Sequence, residues 1–249
     1  MLARRQHDRQ RRGQLQADDL AVFSMVDGIP FRNGRLRATA DGQHVSIDSL
    51  HIEGPRGAAE GGTLDATGVA RWREQPARAA GDRPALWPDI TLQAKADKLR
   101  VSARPDRRLV LSGEVNTQLS GDQLQVRGQL HADEALFILP DEFTPSLGAD
   151  VVVRGGLRQD AGGASDEPGR QIHTDARIDI DLGRQFEVRG RGLQAMLGGR
   201  LEVRSTPADP TPRVLGDVGI TQGSYRAYGQ QLRIETGTLR FTGPYDEPT

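Results

Sequence analysis

The segment from Gln171 to Leu182, QIHTDARIDIDL, alternates almost throughout, with Ile172, Ala176, Ile178, Ile180 and Leu182 on one parity and His173, Asp175, Arg177, Asp179 and Asp181 on the other. Successive side chains of an extended strand point to opposite faces, so this segment predicts a strand with one apolar and one charged side. The same habit recurs at Leu109, Leu111, Val115 and Leu119, and at Leu124, Val126 and Leu130. It continues through Phe186 and Val188, Val218 and Ile220, Leu232 and Ile234, and Leu239 and Phe241. A chain patterned this way is constrained to a long sheet with one oily face. These apolar positions are the expected lining of whatever that face encloses.

The rest of the chain fits an all-β fold with little helix. Thirty glycines and 14 prolines supply turns, and aromatic residues make up only 4%, which implies about fourteen to sixteen short strands in 249 residues. Residues 1–30 read as a polar tail with one short helix, Gln14 to Val26, ended by Gly28 and Pro30. Residues 31–72 read as a first stretch of sheet, in which a phase shift at Asp48 and Ser49 implies a bulge or corner. The polar, Pro- and Ala-rich segment 73–88, REQPARAAGDRPALWP, reads as a loop or linker. Residues 89–249 carry the remaining strands, interrupted by QDAGGASDEPGR at 159–170 and by a Pro-rich loop, TPADPTP, at 206–212.

Several function classes lose support from composition. There is no cysteine, so disulfides, thiol nucleophiles and Cys-ligated zinc are excluded. Of 33 basic residues only Lys95 and Lys98 are lysine, and the arginines alternate with acids along strands rather than gathering into a basic face with aromatic platforms, which argues against nucleic acid. The start carries arginines but no apolar h-region, and no stretch approaches the roughly 18 apolar residues of a spanning helix. Gly190, Gly192 and Ala195 spell G-x-G-x-x-A, but among alternating strands they predict a turn, not a dinucleotide site. Asp175, Asp179 and Asp181 line a solvated charged face, and His7, His44, His51, His131 and His173 show no metal-ligand spacing. No nucleophile elbow or phosphate loop is present in the sequence. The expectation is a non-enzymatic protein without catalytic residue, metal or cofactor.

An oily sheet face has three destinations: a second sheet, lipid around a membrane barrel, or an apolar ligand. A membrane barrel wants aromatic girdles that this chain does not supply. A closed sandwich, serving as a structural or adhesive module, buries the face against another sheet and needs no ligand. A long curled sheet leaves an open, taco-like groove whose Leu, Val, Ile, Ala and Gly suit flexible acyl chains. At the strand spacing of about 4.8 Å such a sheet would run roughly 65 to 75 Å.

Residues 216–244, GDVGITQGSYRAYGQQLRIETGTLRFTGP, followed by YDEP, resemble the signature region of the TamB family. In that family a strand ending in G-x-Y-x-A-Y-G-Q is followed by L-x-I, a turn glycine, L-x-F-x-G-P and D-x-P. The matching positions are Tyr225, Tyr228, Gly229, Gln230, Leu232, Ile234, Gly237, Leu239, Phe241, Gly243, Pro244 and Pro248. DLG at 181–183, the V-x-G-x-G-L at 188–193, LGGRLEV at 197–203 and LPDEFTPSLGADVVVRG at 139–155 are also similar to the family. The resemblance implies a curled sheet with an apolar interior in the periplasmic region of an inner-membrane-anchored envelope protein. It further implies a role in outer-membrane biogenesis, handling phospholipid acyl chains or nascent outer-membrane strands, including those of autotransporters. The expected protein partner is the Omp85-type TamA, reached through a C-terminal tail. The family's anchor and its strands beyond D-x-P are not in these 249 residues, so the chain is expected to be a fragment.

Overall fold

The computed structural model describes residues 12–25, 27–75, 85–140 and 172–244. Seven strands come first: β1 (Arg12–Ser24), β2 (Ile29–Asp41), β3 (His44–Glu53), β4 (Thr63–Gln75), β5 (Ala85–Arg104), β6 (Arg107–Ser120) and β7 (Gln123–Ile138). Each lies antiparallel beside the next, and the only helix among the described residues, α1 (Ala58–Gly61), joins β3 to β4. β8 (His173–Asp181) and β9 (Phe186–Gly190) share one lane, parallel to β7 on one side and antiparallel to β10 (Leu193–Thr206) on the other. β11 (Asp209–Ala227) follows, and its far side is shared by β12 (Gln230–Ile234) and β13 (Thr238–Pro244).

Among the described residues all thirteen strands belong to one sheet, mainly antiparallel. Several are longer than the pattern suggested, with 20 residues in β5 and 19 in β11. Because two lanes hold two strands each, the sheet is roughly 50 Å across at about 4.8 Å per lane, shorter than expected.

Three segments differ from the sequence reading. The helix expected over 14–26 is instead β1, paired with β2 from Arg12 opposite Asp41 to Ser24 opposite Ile29. Helix propensity is worth only a few tenths of a kcal/mol per residue, and a ready ladder with an apolar face for Leu15, Ala17 and Leu20 outweighs it. Strand pairing also enters 73–88, since Gln75 lies opposite Ala85 and only residues 76–84 fall outside the described part. The Pro-rich loop shrinks to a two-residue connection, with Thr206 opposite Asp209 and Pro210 and Pro212 inside β11. The expected phase shift at Asp48 and Ser49 is a bulge, where the β3–β4 register slips between Ile47 and Leu50. The polar tail 1–11 and the loop at 159–170 lie outside the described residues.

The sheet does not lie flat. Gly113, Gly199 and Gly216 have φ of +144°, +143° and +132° in mid-strand. A Cβ on Gly113 would stand 2.1 Å from the Gln129 carbonyl oxygen of the neighbouring strand, so the backbones there approach closer than any side chain permits. A stronger bend closes one end. β3 and β4 stop at Glu53 and begin at Thr63, while β2 and β5 run on past them. A flat sheet would hold β2 and β5 about 14 Å apart. Here their Cα atoms come within 8 Å, and Arg107 donates to Asp27 of the β1–β2 turn at 3.2 Å. Ile29, 0% exposed, with Leu99 and Ser102, fills this closed end.

Candidate functional site

Directly opposed residues of neighbouring strands share a face, so the register can be followed across the molecule. One row reads Ala17, Leu36, Leu50, Ala66, Ala94, Val115, Gly128, Ile178, Val203, Val214 and Gly243, passing from β1 to β13 without a polar side chain. A second reads Ile52, Leu64, Ala96, Gly113, Leu130, Ile180, Leu201, Gly216 and Phe241. These two rows are apolar in every lane they cross, while Thr117 and Ser205 enter the row beside them.

The expected lining residues fall on this face. Leu111, Val115 and Leu119 of β6 stand opposite or diagonal to Leu124, Val126 and Leu130 of β7, and Leu109 stands opposite Ala135. Val126 and Leu130 in turn face Ala176 and Ile180, with Ile178 between and Ile172 and Leu182 at the two ends of the same run. Phe186 and Val188 carry the run into β9, where Phe186 stacks on Phe137 with ring centroids 5.5 Å apart. Val218 faces Leu239, Ile220 is one step further along β11, Gly216 faces Phe241, and Tyr225 and Gly223 face Leu232 and Ile234. Phe137, Leu201 and Val203 complete the centre of the face, and Ile29 its closed end; none was singled out as lining. Leu201 and Val203 alternate as clearly as Ile178 and Ile180 do. Phe137 sits in the apolar run ALFILP, where alternation gives no signal.

The opposite face is a lattice of cross-strand charge. Lys95 lies opposite Glu114 and pairs with it at 3.3 Å; Arg240 pairs with Asp217 at 2.8 Å, Arg127 with Asp175 at 2.7 Å, and Arg177 with Glu202 at 2.8 Å. His51 meets Asp65 at 2.6 Å. Two clefts of about 810 and 800 Å³ open on this side, one floored by Arg71, Arg73 and Asp89, the other by Gln129, Asp179, Asp181 and Arg200. Asp89 pairs with Arg73 and Asp181 with Arg200, and no group of three metal-ligating side chains occurs among the described residues. Such exposed pairs contribute at most about 1 kcal/mol each; their consequence is a face that stays in water.

Asp181 ends β8 where the lane breaks. It accepts the Gly183 backbone N–H at 2.8 Å, with Arg200 at 3.4 Å, and chiefly the backbone hydrogen bond holds its carboxyl below the usual 3.8. A depressed folded-state pKa stabilises above the unfolded value and is lost as pH falls through the lowered one. Asp181→Asn is therefore expected to lower the urea midpoint at pH 7 and to flatten its fall between about pH 4 and the acid limit. Equal pH dependence in the two proteins would refute the assignment.

The family model of the TamB C-terminal domain matches residues 53–249. The chain belongs to the TamB family. It is similar to the translocation and assembly module subunit TamB of Haemophilus influenzae, with 26% identity over 236 residues. That alignment covers 91% of this chain and 16% of the relative, so these residues span about a sixth of the length of that protein.

The TamB signature has a local physical meaning here. Ala227 lies opposite Gln230, so Tyr228 and Gly229 are the two central residues of a hairpin turn, with φ of +52° and +76°. Positive φ at both centres is the mark of the type I′ turn, whose twist matches that of the strands it joins. The G-x-G-x-x-A segment is the same device: Gly190 lies opposite Leu193, and Arg191 and Gly192 have φ of +52° and +79°. Leu232, Ile234, Leu239 and Phe241 then return the apolar parity to the shared face. The stretches at 141–155 and 245–249 that resemble the family lie outside the described residues. No helix among the described residues is long and apolar enough to cross a membrane.

Proposed function

We propose that this chain is part of the periplasmic region of an inner-membrane-anchored TamB protein, and that its apolar sheet face conducts phospholipid acyl chains during outer-membrane biogenesis. The observation that supports this reading is the pair of unbroken apolar rows running from lane to lane. Each buried CH₂ of a bound chain contributes about 0.8 kcal/mol without direction or specificity. The small Ala and Gly positions leave room beside the Leu and Ile ridges, and the aromatic-poor lining offers no strong stopping point, as a conduit requires. No chemistry at bonds is assigned to the face: the protein acts by binding, without cofactor. In the whole protein a TamA-type partner would receive the cargo.

Among the described residues β1 pairs with β2 alone, which favours a second reading. Leu15 is 58% exposed there, and the outer backbone of an edge strand can accept another strand by β-augmentation. On that reading the cargo is a nascent outer-membrane strand. A photo-crosslinking amino acid placed at Ile178, in mid-face, and separately at Leu15, at the edge, distinguishes the two. Capture of lipid at Ile178 is the expected result; polypeptide captured at Leu15, with nothing at Ile178, would transfer the function to the edge.

A further inference from the structure

The tips of the β9–β10 and β11–β12 hairpins lie side by side, tied by the Arg226 backbone N–H donating to the Gly192 carbonyl at 2.8 Å. Each type I′ turn carries an unexpected residue at its first left-handed position. Asn, Asp or Gly is favoured there, yet the chain has Arg191 in one and Tyr228 in the other. A bulky side chain in that conformation is strained, and Tyr228 recovers nothing by packing, being 103% exposed. Strain retained without packing points to a contact outside the chain.

The surroundings indicate which contact. On the apolar face beside the tip, Tyr225 is 41% and Leu232 57% exposed, and Leu139, in contact with Gly190, is 38% exposed. On the charged parity of the same hairpin stand Arg226 and Arg233, which, like Arg35, Arg37 and Arg71 further along that face, form no ion pair among the described residues. A tyrosine tip with a leucine on one side and guanidinium groups on the other matches the interfacial zone of a bilayer. Aromatic rings settle at headgroup depth, apolar side chains enter the acyl boundary, and cations meet phosphate.

We propose that this double hairpin tip docks on the surface of a phospholipid membrane containing anionic lipid, with Tyr228 and Leu232 entering the headgroup boundary and Arg226 and Arg233 on the phosphates. Docking sets the end of the apolar face against the bilayer from which acyl chains would enter or leave. It deepens the lipid-conduit reading but is tested apart from it, because surface binding does not require transport.

The test uses the 249-residue chain and vesicles of phosphatidylethanolamine with phosphatidylglycerol. Tyr228→Trp should give a blue-shifted emission on adding vesicles and be quenched by brominated acyl chains. Each basic side chain near an anionic surface is worth about 1 kcal/mol, so Arg226→Gln with Arg233→Gln should weaken vesicle flotation roughly thirtyfold. Tyr228→Asn places a favoured turn residue at the tip, so it should keep the β-sheet circular dichroism while losing flotation. No emission shift, or flotation unchanged in folded Tyr228→Asn, overturns the proposal and leaves the tip to a protein partner. Crosslinking of lipid at Ile178 in a protein that fails to float would sink the docking alone and leave the conduit standing.

Discussion

Ile180→Asp is expected to strip this chain of bound phospholipid. Ile180 stands at the centre of the second apolar row, between Leu130 of β7 and Leu201 of β10. A carboxylate there removes contact with about two CH₂ groups of a passing chain and asks that chain to lie against an ion. Taken together the loss is near 3 kcal/mol, or roughly a hundredfold in retention. The measurement is the phospholipid extracted per mole of purified protein, quantified by mass spectrometry. Ile180→Ala, which leaves the face apolar, should retain lipid within a few-fold and shows that shortening the side chain is not the cause. Asp179, one residue away on the charged face, supplies the opposite control: Asp179→Asn should change nothing. A folded Ile180→Asp protein carrying as much lipid as the parent would rule out the conduit.

That the substitution can be chosen at all reflects how directly the sheet faces were written in the sequence. Ile178 and Ile180 declare their side by alternation alone, because a strand in water on one face and apolar contact on the other tolerates no other order. The corner at Asp48 and Ser49 was legible for the same reason, since an extra residue in a bulge shifts the parity of everything after it. The hairpin at Arg191 and Gly192 was legible from glycine spacing.

Pairing was less visible. β1 reads as helix because Gln, Ala, Leu and Asp are permissive residues, and only β2, supplied by the fold, decides the matter. The lane shared by β8 and β9 depends on β7 being parallel to both, which no local pattern encodes. The closed end escaped as well. Ile29 follows a glycine in what reads as a tail, and its burial arises from β2 and β5 meeting beyond the shorter β3 and β4. The face of a residue is written in its own strand, and its burial by distant strands is not.

The close approach of β6 to β7 rests on glycine, and Gly113→Val should remove it. At φ +144° a β-branched residue is strained whatever the space, and its Cβ would lie 2.1 Å from the Gln129 carbonyl oxygen and 2.9 Å from the Leu130 Cα. Both obstacles are backbone in the middle of the β6–β7 ladder, so neither can swing aside. The expected cost is about 4 kcal/mol, against about 5 to 15 kcal/mol for a typical folded domain. For a chain of this length that lowers the melting temperature by roughly 8 to 16 °C, read from the β-sheet circular dichroism signal. Valine is a strand-favouring residue, so a rule based on propensity predicts the opposite sign. Gly13→Ala, on β1 with nothing within 4 Å of the added Cβ and no positive φ, should stay within about 0.5 kcal/mol of the parent. If Gly113→Val melts with the parent, the close approach of β6 to β7 is not what bends the sheet. If it melts early and also loses lipid that Gly13→Ala retains, the curvature and the apolar face are parts of one device.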